Sequence, residues 1–123
     1  MALVLCAGTD PLLTKTRQLL LESAGHRVIT ATDEPAMISA CKKHTFDVAV
    51  IGQGVPQELK RKMLSLLREY SPSTRVLEMY LASAGKTLET ADAWLEASIP
   101  APQDFANCVA ALAREPRSIQ GKG

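Results

Sequence analysis

The sequence predicts a doubly wound α/β domain, in which helices cover both faces of a five-stranded parallel sheet. Short runs of continuously apolar residues, such as residues 2–7, alternate with segments of helical periodicity. The connections between them are short and rich in Gly, Pro, Asp and Ser, as turns are. Right-handed crossovers then favour the flavodoxin-like strand order 2-1-3-4-5.

The first βα unit begins with a strand at residues 2–7. Thr9 or Asp10 can cap the helix that follows, which has Pro11 in its first turn and stops at Gly25. Spacing predicts that its inward stripe comprises Leu12, Thr16, Leu19, Leu20 and Ser23.

The second and third units follow the same plan. Residues 27–31 form a strand, and Asp33 or Thr32 can cap a helix with the inward stripe Met37, Ala40, Cys41 and His44. Residues 47–51 form the third strand. A third helix starts at Pro56, with the inward stripe Leu59, Met63, Leu66 and Leu67. We expect its Lys-Arg-Lys run at 60–62 on the solvated face.

The last third of the chain holds two strands, at residues 75–81 and 93–97. Between them a short helix over 86–90 is expected, and a fifth helix follows with Phe105, Cys108, Val109 and Leu112. Residues 1–114 are therefore expected to form one domain, and residues 115–123 a disordered tail. The expected core of the sheet includes Leu5, Val28, Val50, Leu77 and Leu95.

Composition excludes several classes of function. A chain of 123 residues suits one domain, and a net charge of +1 gives no electrostatic case for a nucleic-acid or membrane surface. No secretory signal pattern is visible, so we expect a cytoplasmic protein with three reduced cysteines, Cys6, Cys41 and Cys108. Cys6 could be a redox thiol, but a buried strand cysteine is the favoured interpretation.

Two segments carry a resemblance to a known family. "ESAGHRVITATDEPAM" and "FDVAVIGQGVP" are similar to the frame of the receiver domain of two-component response regulators, and the similarity extends over residues 2–114. The resemblance implies a receiver-like, flavodoxin-like fold and a role in phosphorelay signal transduction.

The catalytic positions depart from that family's pattern. The resemblance implies two magnesium-binding acids after the first strand, but these positions fall on Gly8 and Thr9, and Asp10 lies one step too far. The position of the phosphoacceptor aspartate falls on Gly52.

Two further catalytic positions lie at the ends of the last two strands. The hydroxyl position of the family falls on the bulky Tyr80, and the lysine position falls on Ala97, or on Ile99 if Pro100 marks it. Phosphoryl transfer needs a nucleophilic oxygen and cations, and magnesium needs oxygen ligands. We therefore expect a pseudo-receiver with no catalytic residue, no metal and no cofactor, which is not an enzyme.

Restoring the aspartate alone is not expected to restore the chemistry. A single carboxylate introduced at Gly52, without metal ligands or lysine beside it, should tend to stay protonated.

Two functions from different classes remain open. The preferred one is a signalling module that binds a protein partner or itself, with Trp94 and Phe105 in segment 86–112 as interface candidates. The alternative is a small-molecule or anion-binding protein, or enzyme, on the same scaffold. Its pocket would be lined by Gly8, Thr9, Gly52, Gln53 and Tyr80.

Glu78 lies in the middle of the predicted strand at residues 75–81. A carboxylate between two covered faces must be paired or protonated, because burial disfavours its charge. The alternative, which we favour from sequence, is that Glu78 reaches solvent or Arg75 at a partly open strand end.

Overall fold

A computed structural model describes residues 2–97 and 102–114 of the chain. This part contains the strands β1 (Leu3–Ala7), β2 (Arg27–Ala31), β3 (Val48–Ile51), β4 (Arg75–Tyr80) and β5 (Ala93–Glu96). Its helices are α1 (Pro11–Ser23), α2 (Glu34–Lys43), α3 (Gln57–Tyr70) and α4 (Pro102–Arg114).

The strands form one sheet in the order β2-β1-β3-β4-β5, and every neighbouring pair is parallel. Leu5 of β1 lies opposite Ile29 on one side and Ala49 on the other. The predicted fold class and strand order are confirmed. In this order the chain reverses direction across the sheet between β1 and β3, and sites in such sheets lie at the carboxyl ends of the strands near that point.

Helices cover the sheet on both faces, so its core has two layers. One layer packs α2 and α3 on the sheet and includes Phe46, Met63 and Leu67; the other packs α1 and α4 on it and includes Leu21 and Phe105. Four of the predicted core residues are buried: Leu5, Val28, Val50 and Leu77. Leu95 is only half-buried, because β5 is an edge strand of the described sheet.

The predicted inward stripe of α1 is wrong except at Leu20, which is half-buried and packs on the core. Leu12 is 77% exposed and Leu19 54% exposed, whereas Thr14, Arg17 and Leu21 are buried. The many leucines of this helix make two overlapping stripes, and local spacing does not distinguish them. Packing on the sheet selects the stripe that carries a threonine and an arginine.

The stripes of α2 and α3 are closer to the prediction. Met37, Ala40 and Cys41 are buried, but His44 lies after the helix as its half-buried C-cap. In α3, Met63 and Leu67 are buried and Leu59 and Leu66 are half-buried. Asp33, rather than Thr32, caps α2 by accepting the N–H of Ala36 at 2.9 Å.

The short helix expected over residues 86–90 does not form. Residues 2–97 and 102–114 therefore contain four helices rather than the expected five. Residues 81–92 instead make turns, with Gly85 at a φ of +77°. The Glu78 carboxylate accepts the N–H groups of Thr87 at 3.0 Å and Leu88 at 2.8 Å. A side chain of the sheet therefore takes two backbone donors of the segment and holds it in a non-helical path.

Glu78 and Lys60 form a buried ion pair, which corrects two predictions. Lys60 Nζ lies 2.7 Å from Glu78 Oε2, and both side chains are almost fully buried. The same ammonium donates to the carbonyl of Met79 at 3.0 Å. Glu78 does not reach solvent, and Lys60 is not on the solvated face of α3. Lys60 precedes Met63, Leu64 and Leu67 at helical spacing, so it falls on the buried stripe.

None of the helices in residues 2–97 and 102–114 is long and apolar enough to cross a membrane. The predicted tail at 115–123 lies outside the described residues, as do Ile99 and Pro100.

Candidate functional site

The loops after β1 and β3 meet at the carboxyl end of the sheet. Gly52 donates its N–H to the carbonyl of Ala7 at 2.9 Å, and Gly8 donates to Ala31 at 3.1 Å. A side chain on Gly52 would project from this point, with its Cβ 3.8 Å from the Cα of Gly8. The structure thus brings Gly8 and Gly52 together, as the sequence predicts for the carboxyl ends of adjacent parallel strands.

The loop after β1 leaves little space for a side chain at Gly8. A Cβ on Gly8 would lie 3.0 Å from Thr14 Oγ1, which itself donates to the carbonyl of Asp10 at 2.8 Å. The Thr9 side chain is exposed and its hydroxyl lies 3.4 Å from the carbonyl of Gly54. A side chain at Gly8 would therefore require movement of Thr14 at the start of α1, and Thr9 points its hydroxyl toward the loop after β3.

Asp10 is the N-cap of α1. Its Oδ1 accepts the N–H groups of Leu12 at 3.1 Å and Leu13 at 3.2 Å, which satisfies two donors at the helix start. Its carboxylate is therefore engaged in capping, and β1 ends at Ala7 without the register slip that would carry Asp10 into the site.

Arg17 of α1 occupies the space beside Gly52. A Cβ on Gly52 would lie 3.2 Å from Arg17 Nη1, and Arg17 Nη2 donates a hydrogen bond to Gln53 Oε1. The guanidinium carbon also lies 5.8 Å from the centre of the Phe105 ring, within range of a cation–π contact. A guanidinium thus lies where a side chain would project from Gly52, the position at which the resemblance implies a phosphoacceptor.

Burial and the neighbouring charged groups have opposite effects on the pKa of Arg17. Burial lowers the pKa of Arg17 from its ordinary value, and the nearby Cys6 and Asp10 act in the opposite direction. Burial raises the pKa of the Cys6 thiol to about 12, although the Arg17 guanidinium favours the thiolate. Cys6 is therefore a protonated thiol at neutral pH, which supports the interpretation as a core cysteine.

A cavity of about 230 Å³ lies next to Arg17, between α1 and α4. Its polar lining includes Arg17 and Gln53, and Ala97 lies on its wall. Ala97, at the position where the resemblance implies a lysine, is buried and donates its N–H to the carbonyl of Tyr80 at 2.7 Å. The remaining lining residues are Leu13, Thr16, Leu20, Met79 and Phe105.

Tyr80 does not join this group. Successive side chains of a strand point to opposite faces, and Met79 lines the cavity, so Tyr80 faces the other side of the sheet. There the Lys86 ammonium lies 5.8 Å from the centre of the Tyr80 ring and 5.0 Å from that of Trp94. The predicted pocket lined by Gly8, Thr9, Gly52, Gln53 and Tyr80 is therefore divided between the two faces.

The two interface candidates have different environments. Phe105 is buried in the core layer under α1 and α4, so its side chain is not available to a partner. Trp94 is half-buried on the edge strand, and its indole N–H donates to the carbonyl of Leu88 at 2.9 Å. Of the two, only Trp94 retains exposed surface.

The residues at this end of the sheet do not fit a magnesium ion, the group that the fold family implies. Magnesium is bound through oxygen ligands with one or two carboxylates. Here the guanidinium of Arg17 lies beside Gly52, where its charge would repel a divalent cation, and Asp10 is used as a helix cap. Within residues 2–97 and 102–114, no group of three or more His, Cys, Asp or Glu residues is placed to hold a metal ion.

Sequence reasoning missed Arg17 and Lys60, the two buried cations within residues 2–97 and 102–114. The available signal was helical spacing: Arg17 lies three residues after Thr14 and four before Leu21, and Lys60 lies three before Met63. Lys60 was assigned to the solvated face because a charged side chain is usually exposed, and no role was predicted for Arg17.

Comparison with known proteins shows the fold. No protein-family model matches the sequence, and no curated protein matches it either. A Francisella response regulator receiver domain is 19% identical, with a TM-score of 0.76, and the match covers 93% of this chain and 98% of that one. A CheY-like receiver domain protein from Methanospirillum hungatei is 17% identical, with a TM-score of 0.74 and coverage of 94% and 95%.

A third similar structure is a response regulator from Thermotoga maritima in complex with Mg²⁺-BeF. It is 14% identical, with a TM-score of 0.73, and the match covers 91% of this chain and 99% of that one. These identities are low, so the likeness concerns the fold. The chain has the CheY-like, flavodoxin-like fold of response-regulator receiver domains.

Proposed function

We propose that this protein is a cytoplasmic pseudo-receiver, a signal-transduction protein that takes up no phosphoryl group and acts by binding another protein or a second copy of itself. The receiver fold supports the signalling role. The main support for the proposed absence of phosphorylation is the position of the Arg17 guanidinium. Its Nη1 lies 3.2 Å from where a Cβ at residue 52 would be.

The chemistry of the site supports this proposal. Uptake of a phosphoryl group needs a carboxylate oxygen in line with the phosphorus and a metal ion to absorb the developing charge. Gly52 and Gly8 have no side chains, and Arg17 occupies the space between the strands and α1. We infer that the protein is not an enzyme and that expression level, binding or assembly controls its activity.

The experiment is treatment of the full chain with acetyl phosphate and magnesium, followed by intact-mass spectrometry at neutral pH. A receiver domain with a complete acidic site, treated in parallel, serves as the positive control. We expect no hydroxylamine-sensitive phosphate on this protein. Phosphate on Asp10, Asp47 or any other carboxylate would contradict the proposal.

The surface that we propose for the partner is the β5 face, which comprises residues 81–92, β5 and α4. β5 is an edge strand, and all four of its residues, including Trp94 and Leu95, are half-buried. Leu81, at the start of the adjoining segment, is 38% exposed. The face therefore offers apolar groups and a strand edge that no other described strand pairs, without needing a phosphorylation switch.

Two exposed leucines on different faces test this assignment. Leu81→Arg changes the β5 face, and Leu12→Arg changes the outer side of α1, where Leu12 is 77% exposed. Solution mass measurement gives the self-association state, and pull-down from native cells with each variant identifies partners. We expect Leu81→Arg to lose the association and Leu12→Arg to keep it. Loss with Leu12→Arg alone would place the interface on α1.

A further inference from the structure

Arg17 is a buried cation whose charge has no carboxylate partner at ion-pair distance in the described part of the chain. Its side chain is a rigid fork with five N–H donors and cannot be deprotonated in proteins. Only 8% of the residue is exposed, and the hydrogen bond that it makes goes to the neutral amide of Gln53. Burying such a charge is costly unless it is paired, so this guanidinium has strong capacity to bind an anion.

The lining and the volume of the cavity beside Arg17 indicate the size and polarity of the rest of the ligand. Apart from Arg17, Gln53 and Thr16, its lining is apolar and is supplied by Leu13, Leu20, Met79, Ala97 and Phe105. A volume of about 230 Å³ has room for about eight water-sized groups, at roughly 30 Å³ each. The cavity therefore suits one small ligand with an apolar body and a single polar end.

The single positive charge of Arg17 favours a carboxylate over a phosphate as the polar end of the ligand. One guanidinium matches the two oxygens of a carboxylate through parallel N–H bonds. A phosphate group has more charge and more acceptor oxygens than one buried cation and one amide can satisfy. Asp10 already lies close enough to act on the pKa of Arg17, and its negative charge would oppose a second charge on the ligand.

We propose that the cavity between α1 and α4 binds a small monocarboxylate with an apolar body of about six carbon atoms, and that Arg17 binds its carboxylate. The apolar body lies against Leu20, Met79 and Phe105. Gln53, which accepts from Nη2, orients the guanidinium. The site lies on one face of the sheet, does not include Tyr80, and needs no phosphoryl chemistry, so it does not depend on the proposed signalling role.

Hexanoate and benzoate are the probes, and hexanamide and benzamide are their neutral counterparts. Titration followed by ¹H–¹⁵N NMR reports binding at the backbone amides of Gly52, Gln53 and Ala97 and at the Arg17 Nε–H. We expect saturable shifts with the carboxylates and at least tenfold weaker binding of the amides. Hexylammonium and inorganic phosphate should cause no saturable shifts at these positions.

Three variants locate the site. Arg17→Met keeps an unbranched apolar stem and removes the charged guanidinium, and Arg61→Met makes the same change on the exposed side of α3. Ala97→Leu narrows the cavity and keeps Arg17. We expect at least tenfold weaker carboxylate binding in Arg17→Met and Ala97→Leu and unchanged binding in Arg61→Met.

Several results would overturn the inference. These are equal binding of acids and amides, no saturable shift with either acid, shifts that map to another surface, or unchanged binding in both Arg17→Met and Ala97→Leu. Circular dichroism checks that each variant is folded. If Arg17→Met does not fold, the acid–amide comparison and Ala97→Leu still decide the matter, because both keep the cation.

Discussion

Lys60 Nζ and Glu78 Oε2 lie 2.7 Å apart in a pair that solvent scarcely reaches, with 4% and 0% of the two side chains exposed. The pair joins α3 to β4, and the second oxygen of Glu78 accepts the N–H of Leu88 at 2.8 Å. It therefore links a helix, a strand and the segment 81–92 that replaces the expected helix.

Removing one partner should leave a buried, uncompensated charge. We expect Lys60→Met to lower the free energy of unfolding by about 3–5 kcal/mol, as for other broken buried pairs. Lys62→Met is the matched control on the same helix. Lys62 pairs with Glu34 at 3.4 Å, but its side chain is 61% exposed, so we expect a change of about 0–1 kcal/mol. Urea denaturation measures both, and equal effects would contradict the assignment.

The double variant Lys60→Met/Glu78→Gln separates charge from loop anchoring. Glutamine keeps an acceptor oxygen for the N–H groups of Thr87 and Leu88 but has no charge to balance. We expect the double variant to be more stable than the sum of the single effects, by about 1–3 kcal/mol of coupling. Hydrogen exchange at Thr87 and Leu88 should stay slow in the double variant. Fast exchange there would show that the charge itself holds the segment.

Gly52→Asp should behave differently from what the sequence alone predicts. The backbone at Gly52 is not in the left-handed region, and the new side chain would start 3.2 Å from Arg17 Nη1. A nearby cation favours the charged form, so we expect the pKa of the new carboxyl below its ordinary value. The carboxylate would then be ionised, rather than protonated as expected for an isolated group.

The neutral isostere Gly52→Asn is the control for that charge. At pH 7 we expect Gly52→Asp to be more stable than Gly52→Asn by about 1.5–3 kcal/mol, the range of hydrogen bonds to charged groups. A depressed pKa makes this advantage present above about pH 3.9 and lost as the pH falls through the folded-state pKa. In an Arg17→Met background the advantage should disappear. An advantage that persists there would mean that Arg17 is not the partner.

Asp10 should act as a helix cap and not as a metal ligand. We expect Asp10→Ala to destabilise the protein by about 0.5–2 kcal/mol and Asp10→Asn to do so much less, because asparagine is also a good N-cap. Millimolar magnesium should leave the melting temperature of all three proteins unchanged. A magnesium-specific rise in the native protein that Asp10→Asn abolishes would show a carboxylate ligand.

His26 should make stability depend on pH near neutrality. Its Nδ1 accepts the N–H of Ala2 at 3.2 Å, and burial lowers the pKa of its imidazole from the ordinary value. The unfolded chain therefore binds the proton first, so this contribution is present above about pH 6.5 and is lost as the pH falls through the lower folded-state pKa.

His26→Asn should make the decline in stability between pH 7 and 5.5 shallower, since a neutral amide oxygen can accept the same N–H. His44→Asn, which alters a ring that packs on Phe46, should keep the decline caused by His26. Urea midpoints at several pH values measure the slope. An unchanged slope in His26→Asn would show that another group causes the decline.

The sequence by itself determined the fold class and the residue types that follow β1 and β3. Continuous apolar runs such as Leu3–Ala7 and Val48–Ile51 identify strands covered on both faces, and their alternation with helices leaves few topologies. The missing side chains at Gly8 and Gly52 can be read directly, because a residue type at a strand end does not depend on packing.

Only the tertiary structure decided which charged groups lie inside. Arg17 meets Gln53 across 36 residues of chain, and Lys60 meets Glu78 across 18. Helical spacing gives the neighbours along one helix, but it does not identify which side of the helix packs on the sheet. Nor does it identify the residue on another element that a buried charged side chain contacts. A long-range contact also explains why the helix expected over residues 86–90 does not form. The backbone N–H groups of Thr87 and Leu88 donate to the buried carboxylate of Glu78, which holds the segment in turns. Local sequence preference predicts where each helix or strand can form. Contacts between residues far apart in the chain decide which of these elements form and which of their faces are buried.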